Sequence, residues 1–88
     1  MSLVAQRFAQ NLSRCKAQSG LSTEALATRS GIHRTQVSAL VNGKQVPRLD
    51  TLVKLAGALG VSPARLVEGI RWEPATSPGE FKLGDPGR

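Results

Sequence analysis

Aromatic side chains are scarce: Phe8, Trp72 and Phe81 are the only three in 88 residues, and tyrosine is absent. Proteins that hold single strands need several rings on which bases stack. The single ring in the first 69 residues, Phe8, falls on an apolar stripe, which argues against that activity. The lone cysteine, Cys15, excludes an intrachain disulfide and gives no sign of an oxidising compartment. No apolar run approaches the ~20 residues that span a membrane. The first residues also lack a basic end followed by an unbroken apolar stretch. The expectation is a soluble, intracellular, cytoplasmic protein without a membrane role. One histidine, His33, lies on a different element from Cys15, so neither a metal site nor a nucleophile pair is expected. There is no paired-carboxylate site and no Gly-rich phosphate loop, so an enzyme is not expected and no cofactor is called for.

Acidic residues are few, and their shortage is local. Residues 1–69 hold nine Lys/Arg against three Asp/Glu, while residues 70–88 hold three of each. The whole net charge of +6 therefore sits on the first 69 residues. A basic body of this kind suits a polyanionic partner, because each cation set against a phosphate releases counterions.

Val4, Phe8, Leu12 and Cys15 form one stripe of a first helix, with Arg7, Arg14 and Lys16 off it. Gly20 ends that helix and Leu21 folds back on its last turn. Ser22 is a good N-cap for a second helix, although Ala25 stands where a Glu would complete a capping box. Leu26 and Ala27 face inward, and Gly31 stops this helix after about two turns. A third helix runs from about His33 to Val41, with Val37 and Leu40 inward. "NGK", residues 42–44, closes it. Leu49, Leu52, Val53, Ala56 and Leu59 mark the inner side of a fourth helix, with Asp50 near its positive end and Gly60 at its close. Ser62 and Pro63 start a fifth, in which Leu66 and Val67 face in and Gly69 is the stop. The expected class is all-α: five short helices within residues 1–69 and a Pro/Gly-rich tail over 70–88.

The tail has little helical pattern. Ile70 and Trp72 alternate, as do Phe81 and Leu83, and Ser77-Pro78-Gly79 suits a type II turn. A short hairpin or an extended arm laid on the body is one reading; a frayed tail is the other.

The stretch from Thr23 to Asn42 resembles the helix-turn-helix of the lambda-repressor-like (Xre/Cro-type) DNA-binding domains. That motif wants a small residue where its helices cross, here Ala27, and Gly in the turn four residues later, here Gly31. It wants apolar residues that lock the second helix to the first, here Leu26, Ile32, Val37 and Leu40. "GLS" before the motif, "NGK" after it and "LDTLVKLAGALGVSP" beyond are also similar to the family, and the likeness covers residues 3–69. One position departs from it. Many members carry Glu at the place of Val41, paired with a basic residue on the first helix; Lys16 is present here but the acid is missing.

The resemblance implies a transcriptional regulator that binds double-stranded DNA by placing the helix at about 33–41 in the major groove. With Val37 and Leu40 inward, the outer face carries His33, Arg34, Thr35, Gln36, Ser38 and Ala39. Arg34 is the leading residue for base readout, since a guanidinium can grip guanine O6 and N7 together; its alternative is a phosphate. Gln36 either pairs with adenine or points back toward the second helix. Thr35 and Ser38 meet a base or a phosphate, and Ala39 offers a surface for a thymine methyl. His33 either contacts DNA or serves as a poor N-cap. Ser22 and Thr23 match family positions that bind phosphate on one side of the groove, and Asn42, Lys44 and Arg48 match those that bind it on the other. Asn42 and Gly43 also read as a simple helix end.

Such modules usually work as two-fold dimers on half-sites about one DNA turn apart. Leu66, Val67, Ile70, Trp72 and Phe81 are candidates for that homodimer surface; alternatively Trp72 covers the chain's own core. The rival reading, from a different class, is an antitoxin-like protein-interaction module whose tail orders on a protein partner.

Overall fold

A computed structural model describes residues 2–74 and 79–84. Five helices come first: α1 (Leu3–Ser19), α2 (Thr23–Ser30), α3 (Arg34–Val41), α4 (Leu49–Leu59) and α5 (Pro63–Leu66). Two antiparallel strands follow, β1 (Ile70–Glu73) and β2 (Glu80–Leu83). The tail is thus a hairpin; residues 77 and 78 of the expected type II turn lie outside the described residues.

Local chemistry sets the helix boundaries. Ser2, Ser22 and Ser62 each turn a hydroxyl onto a backbone N–H of the helix they precede, those of Ala5, Ala25 and Ala64. Each such cap satisfies one of the donors that a helix start leaves unpaired. Gly31 ends α2 at φ 70°. Its N–H returns to the carbonyls of Ala27 and Thr28, and Ile32 donates to Ala27 as well. A residue with a Cβ pays for that left-handed conformation, so the glycine permits α3 to leave α2 at a sharp angle.

The core joins all five helices. Phe8, Leu12, Leu26, Leu40, Leu55 and Leu66 are fully buried, each contributing roughly 1.5–3 kcal/mol of transfer free energy. Cys15, Ala27 and Val37 join it, as the spacing predicts, and so does Ile32, as the family resemblance implies. Helix α1 packs on α3, α4 and α5, whereas α2 packs on α3 and α4. That arrangement braces α3 from two sides and leaves its remaining face outward.

Two expected inner positions on α4 are outside. Leu49 is 77% exposed and Val53 51%, while Thr51, Leu55 and Ala58 are buried with Ala56 and Leu59. The helix is apolar almost all round, so periodicity alone does not locate its buried side; packing on α2 and α5 turns it toward Leu55. Val67 is also exposed, because it caps the four-residue α5 rather than extending it. Leu66, by contrast, is fully buried in the chain's own core, which removes it from any outer dimer surface.

Asn11 is the polar exception inside. Its Nδ2 donates to the carbonyls of Leu66 and Glu68 at 3.0 and 2.9 Å, and its Oδ1 accepts from Arg14. Helix α5 is too short to bond its last carbonyls internally, and α1 supplies the donor. The hairpin is tied to the same helix: Arg7 Nη1 donates to the Gly84 carbonyl, and β2 packs on α1.

Candidate nucleic-acid interface

The site is built from the outer face of α3 and the start of α2. Val37 and Leu40 point inward and fix the rotation of α3. Arg34, Thr35, Ser38 and Ala39 then fall on one side, where they line an open groove with Thr23, Asn42 and Lys44. The groove therefore has a base-reading candidate at one end of α3 and a cation just beyond the other.

Two residues placed on the outer face by sequence stand apart from that groove. Gln36 is half-buried. His33 lines a neighbouring hollow with Glu24, Thr28 and Gly31, and its Nδ1 accepts the Thr35 N–H at 3.2 Å, so it does act as the N-cap of α3. Ser22 spends its hydroxyl on the Ala25 N–H at 3.0 Å, which leaves the N–H groups of Thr23 and Glu24 at the start of α2 without a helical partner. Asn42 forms the C-cap of α3 and its Nδ2 donates to Ser38 Oγ at 3.4 Å. Arg48 lies outside the groove and pairs with Asp50 at 3.6 Å. Lys44 is exposed and, among the described residues, forms no ion pair.

Glu24 is the residue that sequence reasoning missed. Its Oε1 lies 3.7 Å from Nε of Arg34, with both side chains largely exposed. An exposed pair of this kind is worth about 0–1 kcal/mol and exchanges readily for a stronger partner. Helix periodicity carries no signal for it, because the pair spans the turn at Gly31. Val41, where the family pattern has an acid, is half-buried against the core and needs no ionic partner.

Compared with known protein families, residues 12–66 match the helix-turn-helix family. The chain belongs to that family, the lambda-repressor-like helix-turn-helix proteins. The HTH-type transcriptional regulator y4dJ of Sinorhizobium fredii, itself uncharacterized, is 40% identical over 57 residues, which make up 65% of this chain and 74% of the relative. The restriction-modification controller protein C.AhdI from Aeromonas hydrophila is similar in structure, with a TM-score of 0.66 and 37% identity over 68% of this chain and 91% of the other. The hypothetical transcription factor NHTF from Neisseria gives a TM-score of 0.69 and 33% identity over 73% and 74% of the two chains. The family match spans α2, α3 and α4, and the groove described above lies on the exposed side of α3. No described helix is long and apolar enough to cross a membrane.

Proposed function

We propose that this helix-turn-helix chain regulates transcription by binding a specific double-stranded DNA sequence, with α3 laid in the major groove. The observation that carries the reading is the convergence of Arg34, Thr35, Ser38, Ala39, Asn42, Lys44 and Thr23 on one groove of a basic body. Arg34 reads a base, and Thr35, Ser38 and Ala39 set the neighbouring contacts. Lys44, Asn42 and the start of α2 hold the flanking phosphates and so fix the angle of α3. Arg48 belongs to the same phosphate set once DNA competes with Asp50. Two copies act together on related half-sites about one turn of DNA apart.

The test is selection from random duplex DNA at physiological salt. Recovery of a motif with two related half-sites is the expected result. Background binding that falls steeply with salt and enriches no sequence would refute specific recognition. A second reading, a module that captures a protein partner, draws on Trp72 and Phe81, which are 55% and 48% exposed. Copurification of a second small protein with the chain, combined with failure of the selection, would favour it.

A further inference from the structure

The cross-strand register of the hairpin sets like charges opposite one another, Arg71 against Lys82 and Glu73 against Glu80. Like charges directly opposite destabilise a sheet. The ions pair along each strand instead, Arg71 with Glu73 at 3.4 Å and Lys82 with Glu80 at 3.1 Å. On the other face Trp72 and Phe81 meet edge to face at 5.1 Å between ring centroids, yet both remain exposed. A two-stranded hairpin of this kind is marginal by itself.

One edge of it is open. Gly84 donates its N–H to the Gly69 carbonyl at 2.7 Å, which marks that pair as hydrogen-bonded. By alternation Arg71/Lys82 and Glu73/Glu80 are bonded too, and the N–H and C=O of Trp72 point away from β2. Ile70 follows the same alternation, and its N–H is taken by the Val67 carbonyl at 3.0 Å. Among the described residues nothing bonds the Trp72 backbone on that side. Strand β2 is the one held to α1, so β1 is the outer strand.

We propose that β1 pairs edge to edge with β1 of a second copy, antiparallel about a two-fold axis at Trp72, to give a four-stranded sheet across a homodimer. The proposal deepens the two-copy reading above and rests on it. In this register Arg71 faces the partner's Glu73, and Glu73 faces the partner's Arg71. Trp72 meets the partner's Trp72, and the two backbones exchange a pair of N–H···O bonds. Charge selects the register. An axis one residue to either side would oppose Arg71 to the partner's Arg71, or Glu73 to the partner's Glu73. Side chains that repel across the hairpin thus attract across the axis, and the exposed indole is covered by its own copy.

The experiment is sedimentation of the full chain without DNA, as wild type, Arg71→Glu, Glu73→Arg and the double variant. Each single change puts like charges together twice across the axis and should raise the dimer dissociation constant about tenfold or more. Within one chain each single change exchanges one ion pair for another: the Arg71–Glu73 pair along β1 is lost, while Arg71→Glu sets a carboxylate opposite Lys82 and Glu73→Arg sets a guanidinium opposite Glu80. Melting temperature of the monomer should therefore hold within a few degrees, which separates lost pairing from lost folding. The double variant should restore the dimer. A wild type that stays monomeric overturns the proposal and leaves the edge for a foreign strand. Single variants that dimerise like wild type overturn it too, and move the interface to another face. Neither result bears on whether α3 reads bases, since no DNA is present.

Discussion

Replacing Asn11 by alanine should unfold this protein far more readily than its small change in volume suggests. The amide is fully buried and donates to two carbonyls, those of Leu66 and Glu68. Each lost bond costs about 1 kcal/mol net, and an acceptor left dry costs about 1–3 kcal/mol more. Only the Leu66 bond is fully buried; the Glu68 bond is partly open, so water can repair that one. The sum is about 2–4 kcal/mol. For a chain of this size each kcal/mol moves the melting point about 4–8 °C, so a fall of roughly 10–30 °C is expected. Urea and thermal unfolding followed by far-ultraviolet circular dichroism would measure it, with the urea slope unchanged. Hydrogen exchange should quicken first at Val67 and Ile70, whose N–H groups lie in the segment that Asn11 holds. A loss below about 0.5 kcal/mol, the size of an ordinary surface substitution, would refute the assignment of Asn11 as the donor that closes α5.

Four other perturbations follow from the geometry. Arg34→Ala should relax the preferred motif at one position, losing about 1–3 kcal/mol of discrimination there while the salt slope stays nearly constant; equal weakening on every sequence would make Arg34 a phosphate ligand. Lys44→Ala should weaken binding to all sequences alike and lower the salt slope by about one, as read by titration at several salt concentrations. Gly31→Ala should cost about 1–2 kcal/mol in urea unfolding, all of it from the backbone, since a Cβ there meets nothing within 4 Å. Gly79→Ala should shift tryptophan fluorescence without changing helix content, because a Cβ at that position runs into the Trp72 indole.

Helix ends and the turn at Gly31 were legible because single residues decide them. A serine hydroxyl or a glycine at positive φ acts within four residues of itself, and sequence contains that neighbourhood whole. The α3 face was legible for the same reason, once Val37 and Leu40 fixed which side is inward. The orientation of α4 was not, since Leu49 and Leu55 are equally apolar and only the packing of α2 and α5 separates them. Asn11 did leave a trace: it sits three residues after Phe8 and four before Cys15, on the buried stripe of α1. A polar residue there needs a buried partner, but nothing local names carbonyls 55 and 57 residues away. The Glu24–Arg34 pair and the like-charged rungs of the hairpin were hidden for a related reason. Both depend on how two elements meet, and neither is a property of one element's period.

The way α1 is held has a consequence for how the chain comes to be folded during synthesis. This first helix has its partners in α3, α4, α5 and β2, and its most specific bonds reach Leu66, Glu68 and Gly84. All of these are made after it. While the ribosome still holds the later residues, α2, α3 and α4 can already dock on one another. During that interval α1 lacks the cover that α5 and β2 later give it. Closure of the domain is therefore a late event, in which α1 waits for α5 and β2 to emerge and lock it in place.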